Sequence, residues 1–211
     1  MLQNYSHIFF DIDGVLISST KYYAELFRRV AEELGGGKDI PMHEYHRMLG
    51  VPAKDALEAY VSKENRGKIQ GLFDLYNQEQ SQMNYFSVVD GAQDVLHHLR
   101  KNKKKTALVS TKSREGVDFM LKVLAWENLV DYSVSGNCVA NLKPHPEPLI
   151  NALEYFQVAS KDALFIGDSF HDLHASRAAK VDFIGVLSGV CNEDDWKRER
   201  VEYFESVKVL I

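Results

Sequence analysis

Two carboxylates stand one residue apart near the start of the chain, at Asp11 and Asp13, and Gly14 comes directly after them. They follow an apolar run at residues 8–10 that has the composition of a buried strand. Because side chains alternate in an extended chain, both carboxylates point to the same side of the strand end and can share one site. Two like charges so close are costly without a proton or cation, which favours a divalent metal ion. The alternative is a surface turn rich in Asp and Gly.

A second pair of carboxylates, Asp168 and Asp172, follows another apolar run at residues 163–166. Asp168 stands at the expected strand end, and Asp172 lies one helical turn further along. Mg²⁺ prefers a ligand set of a few carboxylates, with water and phosphate oxygens in the remaining coordination positions. The alternative is a helix N-terminus, where Asp168 or Ser169 caps the helix and Asp172 interacts with its positive end. Both interpretations remain open from these residues alone.

Two further polar residues occupy comparable positions. Ser110 follows an apolar run at residues 107–109, and Lys143 precedes a proline in a later loop. A hydroxyl can donate to a phosphate oxygen, and an ammonium can face a phosphoryl group in transfer. The ordinary alternatives are a helix cap for Ser110 and an exposed loop lysine for Lys143. With the two acidic pairs, these residues make four motifs. They follow one another along the chain in the order DxDG, Ser, Lys-Pro and GDSxxD.

The elements that must position these residues alternate between strands and helices. The strand-like apolar runs lie at residues 8–10, 107–109, 163–166 and 183–187, with a weaker one at 132–134. Stretches with helical spacing of apolar residues separate them, so we predict an α/β fold: a parallel sheet with helices on both faces. In such sheets ligands bind beyond the carboxyl ends of the strands, so the polar residues should converge there. We expect Tyr203 and Phe204 to pack the C-terminal segment onto this core.

Residues from about 19 to 84 break the alternation, because every periodic stretch there is helical. One apolar stripe runs from Tyr22 to Leu34, and another runs from Ile69 to Met83. We interpret both stripes as helix-to-helix core rather than as a ligand surface. The pattern predicts a helical domain over residues 17–85, inserted into a core domain formed by residues 1–16 and 86–211.

Composition and charge exclude several other classes of protein. The 211 residues, of which 45% are hydrophobic, suffice for a core domain with a smaller insert and need no disulfide or metal for folding. With 30 acidic and 25 basic side chains, the chain lacks the basic footprint of a nucleic-acid or anionic-membrane partner. No apolar stretch has the length of a membrane span or a secretory leader. Cys138 and Cys191 lie far apart without CxxC partners, so we expect free thiols and a cytoplasmic location.

The four motifs together resemble a known family. The segments DIDGV, LVST, KPHPEP and FIGDSFHDLHAS resemble the signature motifs of haloacid dehalogenase superfamily phosphatases, and the helical insert resembles that family's α-helical cap. The resemblance covers nearly the whole chain and points to the phosphoglycolate phosphatase and β-phosphoglucomutase branch. It implies a Rossmann-like core with an inserted all-helical cap domain. It also implies a Mg²⁺-dependent phosphatase that acts on a small phosphate ester, of phosphoglycolate or sugar-phosphate type, as a monomer or homodimer.

The resemblance also implies roles for individual residues. Asp11 would be the nucleophile that forms an aspartyl phosphate, and Asp13 the general acid and base. Mg²⁺ would be held by a carboxylate oxygen of Asp11, the backbone carbonyl of Asp13 and Asp168, with Asp172 behind these ligands or bound through water. Ser110 and Lys143 would stabilise charge on the phosphoryl group during transfer. Contacts to phosphate or substrate are implied for Gly14, Ser110, Thr111, Lys143, Gly50 and Lys54.

Three positions depart from the family's pattern. Ser18 replaces an aspartate that related sequences often carry, and Lys180 replaces a glycine at the predicted end of a helix. Ala53 stands where the phosphoglucomutase branch has an arginine, although Lys54 could compensate for the missing charge. A mutase must hold a sugar bisphosphate in two orientations, so the missing cation favours a phosphatase and leaves the mutase as second candidate. A third candidate, of a different class, is a non-catalytic module that binds a phosphorylated ligand.

Overall fold

The computed structural model describes residues 2–35, 40–41, 44–45, 48, 53–80 and 86–211. The chain forms two compact units. The core unit consists of Met1–Ser18 and Val88–Ile211, and the inserted unit of Ser19–Ser87. Gly50, which the sequence suggests as a substrate contact, lies outside the described residues.

The core unit is built on a six-stranded parallel sheet. The strands of the molecule are β1 (His7–Phe10), β2 (Ile17–Ser18), β3 (Ser87–Val88), β4 (Lys105–Val109), β5 (Tyr132–Val134), β6 (Ala163–Gly167), β7 (Asp182–Val186) and β8 (Tyr203–Phe204). The large sheet has the spatial order β5-β4-β1-β6-β7-β8, while β2 and β3 pair separately. The five predicted strands are therefore present, and β8 adds a sixth at the edge.

Helices separate the strands along the chain. The helices whose bounds the structure describes are, in chain order, α1 (Thr20–Glu33), α2 (Ala53–Ala56), α3 (Ile69–Gln80), α4 (Ala92–Lys101), α5 (Arg114–Leu124), α6 (Glu147–Phe156), α7 (Phe170–Ala179) and α8 (Glu193–Glu199). Short 3-10 turns occur at Leu2–Asn4, Lys63–Lys68, Gly136–Cys138, Ser160–Asp162 and Val207–Leu210. Within the described part of the chain, none of the helices is long and apolar enough to cross a membrane.

The central strands are apolar on both faces because helices cover both sides of the sheet. In β1, Phe9 packs in one cluster with Leu149 of α6 and Ala175 of α7. Its neighbours Ile8 and Phe10 point to the opposite face and are also completely buried. This two-sided burial explains why the central strands read in the sequence as continuous apolar runs, and it confirms the predicted α/β fold.

The strand order places a crevice next to β1. From β1 the chain proceeds to β4 and β5 on one side, and later returns to β6 on the other side of β1. Phe10, the last residue of β1, is in register with Leu108 of β4 and Ile166 of β6. The three strands therefore end at the same level, and the change of direction at β1 and β6 is where sheets of this kind bind ligands.

The inserted unit has an apolar core of its own. Phe27 and Val30 of α1, Leu57 and Ile69 are buried together, and the rings of Tyr23, Phe27 and Phe73 lie within 6.5 Å of one another. The described parts of the two apolar stripes thus pack as helix-to-helix core, as the sequence predicts, while Met83 lies outside the described residues.

Candidate active site

Polar residues meet at the carboxyl ends of β1, β4 and β6. The backbone N–H of Asp11 donates to the carbonyl of Ile166 at 2.9 Å, and the N–H of Ser110 donates to the carbonyl of Val134 at 3.0 Å. These bonds continue the sheet's ladder by one residue beyond each strand. The backbone of both residues is therefore held by the sheet, and their side chains start from fixed positions.

An acidic cluster occupies this edge of the sheet. Asp11, Asp168 and Asp172 each offer a carboxylate oxygen, and these atoms all lie within 4.8 Å of one another. Asp168 is 3% exposed and Asp172 is fully buried. Carboxylates so close together and so poorly hydrated require a cation or a proton.

Lys143 supplies one positive charge to this cluster. Its Nζ lies 2.8 Å from Oδ1 of Asp11 and 2.6 Å from Oδ1 of Asp172, and it donates to the carbonyl of Val109 at 2.9 Å. Its side chain is only 3% exposed, so the alternative of an exposed loop lysine is wrong. An ammonium has three donors, and these three contacts use all of them. Lys143 therefore orients Asp11, and direct contact with a phosphate oxygen requires it to exchange a partner.

Asp172 caps a helix, which is one of the two interpretations that the sequence leaves open for it, and it also binds Lys143. Its Oδ2 accepts hydrogen bonds from the N–H groups of Asp168 at 3.2 Å and Ser169 at 3.1 Å, and from the Ser169 hydroxyl at 2.6 Å. Ser169 and Asp172 thereby form a capping box at the start of α7. Its Oδ1 binds Lys143 at 2.6 Å. One carboxylate thus caps the helix and fixes the backbone of Asp168 and the side chain of Lys143.

Asp13 lies beside Lys112, a residue that none of the predicted roles includes. The Nζ of Lys112 is 3.0 Å from Oδ2 of Asp13, and both side chains are partly buried. The N–H of Lys112 donates to the Ser110 hydroxyl oxygen at 3.2 Å. Ser110 is 5% exposed and does not cap the following helix, because Ser113 fills that position. The exposed Thr111 lies between Ser110 and Lys112 in this loop.

The loop after β7 also belongs to the site. The N–H of Val190 donates to Oδ2 of Asp168 at 2.8 Å, and the hydroxyl of Ser188 donates to the carbonyl of Gly14 at 2.6 Å. A Cβ on Gly189 would lie 1.8 Å from Oδ2 of Asp168, and one on Gly14 would lie 2.2 Å from the same atom. Asp168 therefore fits between two glycines. Most of these contacts are made by the backbone of the loop, so they have no side-chain signature in the sequence. The position of the loop directly after a strand is what could have indicated its role.

Burial and charge shift the pKa values of the buried groups. Burial raises the pKa of Asp11 from an ordinary 3.8 to about 7, although the neighbouring ammonium of Lys143 opposes the shift. Burial and the charges of Asp172 and Asp11 raise the pKa of Asp168 well above its ordinary value. Burial alone would lower the pKa of Lys143, but Asp11 and Asp172 outweigh it and raise that pKa.

These features fit a hard divalent cation. The donors are carboxylate oxygens, which Mg²⁺ prefers, and one buried ammonium faces three carboxylates. Burial and the neighbouring carboxylates raise the pKa values of Asp11 and Asp168, and a bound cation would favour the charged forms of both. Asp11 and Asp168 are the residues that would hold the ion, because Asp172 already accepts four hydrogen bonds from the protein.

Metal binding should stabilise the protein more at neutral than at acidic pH. In metal-free protein the folded state keeps the Asp11 proton up to about pH 7, whereas the unfolded chain loses it near 3.8. The contribution of Asp11 to the free energy of unfolding therefore falls as the pH rises from about 3.8 to about 7, by an amount on the order of a few kcal/mol. A divalent cation such as Mg²⁺ would bind the deprotonated cluster and offset this loss of stability. We expect a larger rise in unfolding temperature on adding Mg²⁺ at about pH 8 than at about pH 5. Equal rises at both pH values would contradict this account.

The inserted unit contains the remaining predicted substrate residues. Lys54 is exposed on the short helix α2. Ala53, beside it, is 4% exposed and belongs to the apolar core of the inserted unit. The position at which the mutase branch carries an arginine is therefore a packing position in this chain.

Comparisons with known proteins agree with the motifs. A family model described as "Haloacid dehalogenase-like hydrolase" matches residues 8–186. A "Putative pyrophosphatase PpaX" from Caldanaerobacter subterraneus is 28% identical over 93% of this chain and 88% of its own length. A "Phosphoglycolate phosphatase" from Colwellia psychrerythraea is 26% identical over 89% of this chain and 87% of its own length.

The fold is also found among solved structures. A predicted phosphoglycolate phosphatase from Haemophilus somnus superposes with a TM-score of 0.86, covering 100% of this chain and 98% of that chain. The two sequences are 18% identical, so this similarity concerns the fold alone.

Proposed function

Because the chain belongs to the haloacid dehalogenase-like hydrolase family and is a phosphatase like its curated relatives, we propose that it hydrolyses small phosphorylated metabolites through an aspartyl phosphate on Asp11. One observation carries the proposal. The Asp11 carboxylate, at the end of the central strand, lies 2.8 Å from the buried ammonium of Lys143 and within an acidic cluster suited to Mg²⁺. In this arrangement the ammonium orients the Asp11 carboxylate. The ammonium and a bound Mg²⁺ would together compensate the negative charge of an approaching phosphate.

The first step transfers the phosphoryl group to the enzyme. An oxygen of Asp11 attacks phosphorus, and the bond between phosphorus and the leaving oxygen breaks while Asp13 gives that oxygen a proton. Lys143 and the backbone bond from Asp11 to Ile166 keep the attacking carboxylate in place. The products of this step are the free alcohol or acid and the aspartyl phosphate.

The second step returns the enzyme to its starting state. A water molecule gives a proton to Asp13 and attacks the phosphorus, and the bond to the Asp11 oxygen breaks to release inorganic phosphate. Ser110, which is buried at the end of β4, would donate its hydroxyl to a phosphoryl oxygen. Mg²⁺ held by Asp11, Asp168 and the backbone carbonyl of Asp13 would supply the positive charge that lets carboxylate and phosphate approach each other.

The inserted unit would select the leaving group. We assign this role to the segment that includes Gly50 and Lys54, on the strength of the family resemblance. Because the mutase branch's arginine is replaced by the buried Ala53, the phosphatase remains the first candidate and a phosphosugar mutase the second.

The proposal is tested by turnover of p-nitrophenyl phosphate by the purified protein with Mg²⁺ and with a chelator. We expect hydrolysis with Mg²⁺ and loss of at least about 100-fold with chelator, which is the effect of losing one major electrostatic contribution. Conversion of β-glucose 1-phosphate to the 6-phosphate would instead identify the mutase. No turnover of any phosphate ester by folded, metal-loaded protein would favour the non-catalytic binding module.

A further inference from the structure

Lys143 reaches the acidic cluster from a loop that belongs to neither a strand nor a helix. The loop comprises residues 139–146 and leads directly into α6. It runs along the surface, since Leu142 beside Lys143 is 47% exposed, whereas the side chain of Lys143 is buried. The sheet holds the backbone of Asp11, but Lys143 stands outside the sheet, so other contacts must fix its loop.

The carboxylate of Glu147 closes this loop. Glu147 is the first residue of α6. Its Oε1 accepts a hydrogen bond from the N–H of Ala140 at 2.7 Å, and its Oε2 accepts from the N–H and the side-chain amide of Asn141, at 3.0 and 2.8 Å. These donors, the N–H of Ala140 foremost, lower the pKa of Glu147 below its ordinary value. A charged group therefore joins the beginning of the loop to its end, and Lys143 stands between the two.

The end of the loop is anchored in turn. The N–H of His145 donates to the carbonyl of Leu142 at 2.9 Å, and the N–H of Glu147 donates to Nδ1 of His145 at 3.2 Å. Further along α6, Leu149 packs in the core cluster that contains Phe9 of β1. The loop is thus attached to a helix that packs on the same strand whose end carries the proposed nucleophile.

We propose that Glu147 is a positioning residue for the proposed reaction: by closing the loop, it fixes the backbone from which Lys143 orients Asp11. The inference rests on the proposed function, because it takes Asp11 as the attacking group. Glu147 acts through Lys143, and it has no role among those that the sequence predicts. Its removal should therefore lower turnover to the extent that the ammonium leaves its place.

The ammonium of Lys143 tolerates little displacement. Its three bonds, to Asp11, Asp172 and the carbonyl of Val109, are between 2.6 and 2.9 Å long. A loop that shifts by about 1 Å cannot keep all three, and a misplacement of that size in an active site can cost on the order of 10²-fold in rate. Closure of the loop by Glu147 keeps the ammonium within this tolerance.

The first experiment measures kcat and KM of Glu147→Ala and Glu147→Gln with p-nitrophenyl phosphate and Mg²⁺, per mole of folded protein. We expect Glu147→Ala to lower kcat by about tenfold or more, as one active-site group becomes misplaced, and to leave KM within about threefold. Glu147→Gln should lose less, because the amide keeps the length of the side chain and one acceptor oxygen. An unchanged kcat in Glu147→Ala would overturn the proposal.

A double-mutant cycle shows whether the effect passes through Lys143. In a Lys143→Met background, Glu147→Ala should lower kcat further by less than about threefold, because the group that it positions is already absent. A loss as large as in wild type would overturn the proposal and leave Glu147 as a residue that only stabilises the fold. Glu147→Gln completes the same cycle if Glu147→Ala does not fold.

Glu193→Ala provides a matched control. Glu193 is the first residue of α8, as Glu147 is of α6, and an acid at this position favours the positive end of either helix. Its carboxylate contacts Lys197 and Tyr203, both at 2.7 Å, rather than a loop that carries a site residue. Glu193→Ala should therefore keep kcat within about twofold of wild type. A loss equal to that of Glu147→Ala would contradict the proposal.

Chemical denaturation separates this proposal from the proposed function, because it requires no turnover. The loss in free energy of unfolding caused by Glu147→Ala is measured in wild type and in Lys143→Met. We expect the loss in Lys143→Met to be at most about half of that in wild type, since the contacts of the ammonium are already gone. Equal losses would reject the positioning of Lys143 even if the protein is an active phosphatase. Unequal losses in a protein that hydrolyses nothing would reject the proposed function and retain the positioning.

Discussion

Replacing Asp11 by Asn should lower kcat by at least about 10⁴-fold and leave the fold intact. An amide oxygen is a far weaker nucleophile than a carboxylate, and the variant cannot form the acyl phosphate. Stability should not fall, because burial already raises the pKa of Asp11 and the substitution removes one of three crowded negative charges. In metal-free protein at neutral pH, the unfolding temperature should be equal to or higher than that of wild type.

The measurement is steady-state hydrolysis of p-nitrophenyl phosphate together with a thermal unfolding curve. Asp90→Asn is the matched control, because Asp90 is 78% exposed and pairs with Lys208 on the surface. It should retain activity within about twofold, as expected for a surface substitution. Turnover by Asp11→Asn within tenfold of wild type would refute the covalent route.

Replacing Lys143 by Met should destabilise the protein by about 3–5 kcal/mol, the usual cost of breaking a buried ion pair by removing one partner. Its side chain is 3% exposed, and its ammonium contacts both Asp11 and Asp172. Without it, Asp11 and Asp172 lose the cation that they share, and two poorly hydrated carboxyl groups are left without an ionic partner. We also expect kcat to fall by about 10²- to 10³-fold, because Asp11 loses the contact that orients it.

Chemical denaturation at neutral pH measures the stability effect. Lys208→Met is the matched control, since Lys208 and Asp90 form an ion pair of similar length, 3.0 Å, on the surface. Lys208→Met should lower the free energy of unfolding by no more than about 1 kcal/mol. Adding Asp172→Asn to Lys143→Met should recover part of the lost stability by removing one of the stranded charges. A loss from Lys143→Met as small as the control's would show that the buried pair contributes little.

The sequence predicts the sheet and the position of the site for one physical reason. Central parallel strands are buried on both faces, so β1, β4 and β6 appear as unbroken apolar runs, and the polar residue after each run marks a strand end. β8 gives no such signal because Tyr203 and Phe204 are only partly buried at the sheet edge. Lys180 ends α7 in the left-handed conformation with φ of 57°, where the family usually has glycine, so the departure does concern the helix end.

The contacts that refine the site are not visible in the sequence. The order of the motifs predicts Lys143 as a site residue, but its contacts with Asp11 and Asp172 depend on the path of the loop. Val190 and Gly189 act through a backbone N–H and through the lack of a side chain, neither of which has a compositional signature. The pairing of Lys112 with Asp13 joins residues nearly a hundred positions apart, and only the sheet register brings them together.

Trapping the covalent intermediate tests the central claim most directly. The protein is mixed with substrate and Mg²⁺, quenched during turnover and treated with hydroxylamine, which converts an acyl phosphate into a hydroxamate. Peptide mass spectrometry then locates the modified residue. We predict a hydroxamate on Asp11 in wild type and none in Asp11→Asn. Phosphate release at the normal rate with no modification of Asp11, or with the modification on another residue, would contradict the account.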